Sequence, residues 1–382
     1  MDTFTFTIPQ NIVCGVDSLF RLPTLAAQLN KTKAFIISGP HLNKIGMVEK
    51  CQDALKNAGI ESSTFTKTEG NPSTDTVDEA TKEFQESGAD FIVAFGGGSP
   101  LDVAKAVAVL STYGGRITDY EGAGKVPGPV VPMIAIPTTA GTGSEVTAFS
   151  VITDHTRNYK LTVVSNYLLP QYAILDPALI TSVPAATAAA CGVDAMVHAL
   201  EAYISKAASP FSDMFALKAL HYIGKNLRAY VASRENMVAA ENMMMGSLFA
   251  GIAFSHARLG NVHAMSHPVS AYFNVAHGVA NAILLPIVAE YNELADQGKY
   301  YDIYKCIAKC PVAKEEFSSD MLAESLFALN KELGIPEKLR DAGVSEEYFD
   351  AMADDAMKSG NIAVNPRSTT KEDVLELYRK AY

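Results

Sequence analysis

Long apolar runs are missing from this chain. No stretch of eighteen consecutive apolar residues occurs, so the sequence offers no membrane-spanning segment. Also missing is any run of five or more basic residues, which removes the usual sign of a membrane-surface segment. Basic residues are outnumbered throughout: 31 Lys and Arg stand against 42 Asp and Glu, for a formal net charge of −11. A nucleic-acid binder needs a basic face for the phosphates, so this balance argues against DNA or RNA partners. Cysteine is scarce. The five thiols (Cys14, Cys51, Cys191, Cys306, Cys310) are odd in number and scattered. Cys306 and Cys310 are too widely spaced for a zinc knuckle or a redox pair, so free thiols in a reducing cytoplasm are the expectation. Residues 1–20 lack a positive leader and an apolar core, and no signal peptide is expected.

What is present is enough apolar material for two cores. The 382 residues are 48% hydrophobic and 19% charged, a length that suits two domains. From residue 33 to about 176, short apolar runs alternate with helix-like segments: AFIIS at 34–38 before a helical stretch at 48–58, then FIVAF at 91–95, then MIAI at 133–136. The FIVAF run leads through three glycines into a helical pattern at Leu101, Ala104, Val107 and Ala108. Such alternation predicts an α/β domain with a parallel, Rossmann-like sheet covered by helices on both faces. After Asp176 the character changes. Ala-, Met- and Leu-rich stretches at 185–203 and 233–257 predict an all-helical second domain, entered through Pro184, which fits a first helical turn. The boundary is placed at residue 181, giving domains 1–181 and 182–382.

Gly96-Gly97-Gly98-Ser99 closes an expected strand and opens an expected helix. Glycines let the backbone approach a bulky anion, and the unpaired N–H groups of the helix start then point at it. Ser99 adds a hydroxyl donor or a cap. The pattern is neither G-x-G-x-x-G nor a P-loop, so a plain strand-to-helix turn stays open. A second loop strengthens the ligand reading: PTTAGTGS at 137–144 carries four hydroxyls (Thr138, Thr139, Thr142, Ser144) and two glycines. Two such loops at adjacent strand ends would face one crevice, where open α/β sheets bind nucleotides.

Asp194 and His198 are four apart on an expected helix and so share one face. Four of the eight histidines fall between 256 and 277 in apolar surroundings, among them His263, His267 and His277. Buried imidazoles need partners. One carboxylate with three imidazoles suits a first-row divalent ion, Fe(II) or Zn(II), while ordinary hydrogen-bonded histidines remain the other reading. His41, His155, His221 and His256 are left as ordinary histidines.

At this point the motifs resemble those of the iron-containing (group III) alcohol dehydrogenases, the family of lactaldehyde reductase and 1,3-propanediol dehydrogenase. The matching segments are EGNP at 69–72, FGGGSPLDVAK at 95–105, PTTAGTGSEVT at 137–147 and GVDAMVHALEAY at 192–203. Further on come AGIAFSHARLGNVHAMSHP at 250–268, HGVANAILLP at 277–286 and NPR at 365–367. The resemblance implies a Rossmann-like domain followed by a dehydroquinate synthase-like helical domain. It implies that Asp194, His198, His263 and His277 ligate a divalent metal, usually Fe2+, with Zn2+ as the alternative. It puts His267 beside the metal as a proton-relay residue, and Gly97, Gly98 and Ser99 on the diphosphate of NAD(H). Asn71, Thr138, Thr139, Thr142, Ser144 and Lys160 would line the rest of the cofactor site, and Phe254 a wall of the substrate pocket.

Two positions depart from the family pattern. Many members carry an Asp at the end of the second strand where this chain has Gly39. That Asp accepts the ribose hydroxyls and repels a 2′-phosphate, so with His41 and Lys44 nearby the bias against NADP(H) should weaken. Phe149 stands where the lactaldehyde-reductase type has a smaller polar residue, and would favour alkyl chains over polyols; simple core packing is the other reading. The expected activity is interconversion of short primary alcohols and aldehydes by hydride transfer, in a cytoplasmic homodimer or higher homo-oligomer. The rivals are a zinc-dependent glycerol-type polyol dehydrogenase, a dehydroquinate-synthase-like lyase and a non-catalytic relative. A lyase acting on a phosphate-bearing substrate would need basic residues near the metal segments, and histidines aside only Arg258 is basic in 250–268 and 272–279. A non-catalytic relative would be expected to have lost a metal ligand.

Overall fold

The computed structural model describes Phe6, Ile8 and residues 10–382, which fall into two compact units. One comprises Ile8–Thr139 and Ser144–Thr181; the other contains Ala140–Gly143 and Ser182–Tyr382.

The first unit is built on a six-stranded sheet in which every pairing is parallel. Its strands are β1 (Asn11–Cys14), β2 (Lys33–Ile37), β3 (Glu61–Phe65), β4 (Phe91–Gly96), β6 (Met133–Pro137) and β9 (Tyr172–Leu175), in the order β1-β9-β6-β4-β2-β3. Three further strands, β5 (Gly122–Ala123), β7 (Phe149–Asp154) and β8 (Tyr159–Val164), make a small second sheet in which β7 and β8 pair antiparallel.

Period-two alternation explains the two-faced packing of the large sheet. Ala34 and Ile36 of β2, with Phe91, Val93 and Phe95 of β4, join one core; Phe35 and Ile37, with Ile92 and Ala94, join the other. Helices α1 (Leu22–Gln28) and α3 (Met47–Lys56) cover the first face. Helices α4 (Thr74–Ser87) and α5 (Gly98–Tyr113) cover the second. All six residues of β4 are buried, as a central parallel strand requires. Each Phe, Ile or Val so enclosed is worth about 1.5–3 kcal/mol over exposure. A short helix, α2 (Pro40–Lys44), follows β2 directly.

β2 lies between β3 and β4, so the strand order reverses there, and the carboxyl ends of β2, β4 and β6 stand side by side. That edge is where open α/β sheets present their ligand loops. Gly39 follows β2, Gly97 to Ser99 follow β4, and Thr138 and Thr139 follow β6.

In the second unit, among the described residues, no strand follows Leu175. Its helices are α6 (Ala185–Ile204), α7 (Pro210–Ala232), α8 (Met237–Ala257), α9 (Asn261–Phe273), α10 (His277–Asn292), α11 (Tyr300–Ile307), α12 (Asp320–Glu332), α13 (Phe349–Lys358) and α14 (Lys371–Ala381). Helices α6, α7 and α8 pack on one another, and α10 lies against α6 and α9. Among the described residues only α8 is long and apolar enough to cross a membrane, yet 67% of its apolar stretch is buried inside the protein, as in a core helix. Gly278 marks one close approach. A Cβ there would collide with the carbonyl of Ala190 on α6, so only glycine lets the start of α10 lie against that helix.

Candidate metal centre and cofactor loops

Helix α6 carries Asp194 and His198 one turn apart, both buried. His263 comes from the first turn of α9 and His277 opens α10. The Asp194 carboxylate is the hub. Its Oδ1 lies 3.8 Å from His263 Nε2, 3.8 Å from His277 Nε2 and 4.0 Å from His198 Nε2. The donor atoms of Asp194, His263 and His277 all lie within 4.8 Å of one another, and His198 stands at the margin of this group. The His198 ring is sandwiched between Phe254 and His263, with centroids 4.5 and 4.6 Å away.

Protonation favours ligation. Burial holds the His263 imidazole well below its usual range, helped by neighbouring His198, so the ring is neutral and has a lone pair to give. A carboxylate oxygen with three imidazole nitrogens gathered around it suits a divalent first-row cation, and the residues present fit the group that the sequence motifs imply. His267, half-buried one turn along α9 from His263, has its ring 5.3 Å from that of His277.

Two side chains in this cluster were not singled out from the sequence. Asn281 is buried on α10 one turn from His277; its Nδ2 donates to Asp194 Oδ1 at 2.6 Å and lies 3.2 and 3.1 Å from the Nε2 atoms of His263 and His277. Glu201 is buried on α6 with Oε2 at 2.7 Å from His263 Nδ1. Burial pushes its carboxyl up to about 7, against the pull of the Gly260 and Val262 amides. The signal was available in the spacing, since Asp194, His198 and Glu201 stand at i, i+4 and i+7 on one helix face.

In the other unit, α5 starts at Gly98 behind Gly97 as N-cap, leaving its first amides open at the end of β4. Thr138 N donates to Gly96 O at 2.9 Å and ties the loop after β6 to the loop after β4. Asn71 and Lys160 are brought together, with Nζ donating to Oδ1 at 2.7 Å. Gly39 caps α2. Ser144 is buried; its Oγ donates to Asp102 Oδ1 at 2.7 Å and accepts from Lys105 Nζ at 2.9 Å.

Lys105 is the residue sequence reasoning passed over here. Its fully buried ammonium also donates to the carbonyls of Ser144, Thr147 and Phe149 at 2.6, 2.9 and 2.8 Å. Burial lowers it to about 8, opposed by Asp102 and Glu145. A lysine flanked by Ala and Val on a helix was the available hint. Phe149 opens β7, half-buried, and Phe254 is buried on α8. Thr142 lies in the 140–143 segment that groups with the helical unit. Beside it Gly143 adopts φ +62°, and a Cβ there would sit 2.8 Å from Gly251 Cα of α8.

Comparison with known proteins identifies the family. Residues 9–177 match the iron-containing alcohol dehydrogenase model and residues 188–382 the C-terminal model of the Fe-containing alcohol dehydrogenase family. The chain is 38% identical to 1,3-propanediol dehydrogenase of Citrobacter freundii over 382 residues, covering 99% of each. It is 40% identical to lactaldehyde reductase of Escherichia coli (strain K12) over 353 residues, covering 92% of each. Among solved structures, a 1,3-propanediol oxidoreductase superposes with TM-score 0.94 at 38% identity, covering 100% of both chains. An alcohol dehydrogenase from Oenococcus oeni superposes with TM-score 0.95 at 33% identity, also over 100% of both. With both halves matched and these relatives aligned end to end, the chain belongs to the iron-containing alcohol dehydrogenase family and is an alcohol–aldehyde oxidoreductase.

Proposed function

We propose that this enzyme interconverts short primary alcohols and their aldehydes, using NAD(H) and a divalent cation, Fe2+ in first place, held by Asp194, His198, His263 and His277. The observation that carries the reading is the approach of three imidazole Nε2 atoms to Asp194 Oδ1 within 3.8–4.0 Å. When bound, the cation supplies Lewis-acid polarisation of the substrate oxygen, and the nicotinamide carries the hydride.

The protein's own part is positioning and proton handling. Asp194 and the imidazoles would present their oxygen and nitrogen atoms to the cation, and the aromatic face of Phe254 against His198 gives that side an apolar wall. His267 accepts the proton released by the alcohol on a ring nitrogen and passes it to solvent, the reverse holding for aldehyde reduction. In the sheet unit the open amides of α5 with Gly97, Gly98 and Ser99 receive the diphosphate; Asn71, Thr138, Thr139, Ser144 and Lys160, with Thr142 of the 140–143 segment, line the rest of the cofactor site. Ser144 already gives its one hydroxyl hydrogen to Asp102, so its part is to hold loop shape, whereas Lys160, bonded to Asn71, keeps further hydrogens to donate. Gly39 leaves room for a 2′-phosphate, and NADP(H) is accepted beside NAD(H). Phe149 favours alkyl chains. Homodimer pairing would use β1, which among the described residues stands at one end of the sheet.

The test is anaerobic purification with Fe(II), followed by aldehyde-dependent NADH and NADPH oxidation across aldehydes and diols of increasing length. Activity lost on chelation should return with Fe(II) and not with Zn(II). Return with Zn(II) alone would favour the glycerol-type reading, and a preference for polyols over alkyl aldehydes would remove the role given to Phe149. In the same assay His267→Gln should lower kcat with metal content unchanged; equal kcat would remove the relay.

A further inference from the structure

Glu201 has no part in the metal-ligand set above, yet both of its carboxylate oxygens are held. It lies one turn beyond His198 on α6, at the spacing that keeps Asp194, His198 and Glu201 on a single face. Its Oε1 accepts the Val262 N–H at 2.7 Å, and its Oε2 meets His263 Nδ1 at 2.7 Å. Both oxygens are thus engaged by the first turn of α9, where the helix dipole and open amides favour an anion. Room for this contact depends on Gly260, whose Cβ would fall 3.0 Å from Glu201 Oε1.

A carboxylate at Nδ1 fixes what the opposite nitrogen can do. A neutral ring that gives its Nε2 lone pair to a cation keeps its proton on Nδ1, and the Glu201 oxygen facing Nδ1 is placed to accept that hydrogen bond. Nε2 is the atom that lies 3.8 Å from Asp194 Oδ1. The bond also fixes the ring about its long axis and raises the basicity of Nε2, as partners of metal-bound imidazoles do. We propose that Glu201 is a positioning residue of the metal centre: through Nδ1 it sets the tautomer, orientation and donor strength of His263. This rests on the metal reading given under Proposed function.

The test titrates Co(II), competed against a chromophoric chelator, into wild-type protein and Glu201→Gln, with Thr369→Val as control. Thr369 Oγ1 accepts from Asn261 Nδ2 at 2.8 Å, so its loss loosens the same helix start without touching His263. Glu201→Gln should bind Co(II) about tenfold to a hundredfold more weakly, the usual effect of losing such a partner. Its visible cobalt bands should also shift. The control should lose thermal stability and keep its affinity. Unchanged affinity and bands in Glu201→Gln overturn the proposal, as does an equal loss of affinity in the control. Wild-type protein that binds no stoichiometric Co(II) instead overturns the metal reading beneath it. Should the Gln variant not fold, Glu201→Asp keeps the charge and withdraws it by one methylene from Nδ1. An intermediate loss of affinity supports the proposal, and none overturns it.

Discussion

Gly39 shows how one side chain can bear on cofactor choice. It caps α2 just after β2, beside the point where the strand order reverses, and in the proposed cofactor site a carboxylate there would face the adenosine ribose. A Cβ at this position would lie 3.1 Å from Thr68 O, which asks the neighbouring backbone to give by a few tenths of an ångström. The substitution Gly39→Asp is therefore sterically tight but feasible. Its charge should repel a 2′-phosphate while accepting the ribose hydroxyls of NADH. We expect kcat/KM with NADPH to fall at least about tenfold relative to NADH, some 1.4 kcal/mol of discrimination. Steady-state kinetics with both cofactors checks this. A ratio that does not move means that Gly39 does not set the preference.

At the scale of elements, much of the fold was legible because its elements are locally self-consistent. β2, β4 and β6 are apolar, largely β-branched or aromatic runs, and the expected runs begin within one residue of the observed strands. α6 declares itself by an unbroken helical pattern behind Pro184. β3 escaped because its sequence, ESSTF, is polar with only Phe65 buried, and it exists by pairing with β2 at the sheet edge. The hairpin of β7 and β8 escaped for a similar reason. Its turn is closed by Asp154 accepting from Thr156 and by Asn158 at φ +48°, neither of which stands out in sequence. Site residues divide along the same line. The histidine-rich motif was readable as chemistry, whereas Glu201, Asn281 and Lys105 matter through partners distant in sequence.

Lys105 makes this point measurable. One ammonium gathers three carbonyls and two hydroxyls from residues 144–149, the segment joining the loop after β6 to β7. Replacing it by Met fills similar volume but strands those acceptors and removes a positive charge that favours the ionised form of the half-buried Asp102. Leaving a buried acceptor without its donor costs about 1–3 kcal/mol. Lys105→Met should lose stability on that order by urea denaturation, and because Ser144 loses its donor, the KM for NADH should rise more than kcat falls. A variant as stable as wild type would show that Ser144, Thr147 and Phe149 hold their places without it.

For the whole molecule, the division into two compact units predicts that stabilisation by the cation is local. All four proposed ligands, with Glu201 and Asn281, come from α6, α9 and α10, and the loops proposed for the diphosphate come from the strand ends of the other unit. A ligand that binds only the folded state adds about 2.7 kcal/mol at a hundredfold excess over its Kd. That energy enters through the elements that hold it, because opening them breaks the site, whereas opening the sheet does not. Removing the cation with a chelator should therefore raise hydrogen exchange in peptides from α6, α9 and α10 and leave those from β4 and β6 unchanged. Adding NADH to chelated protein should do the converse, protecting the ends of β4 and β6. Exchange that rises equally in both units on chelation would mean that they open as one cooperative body, and the local picture of the metal's contribution would fail.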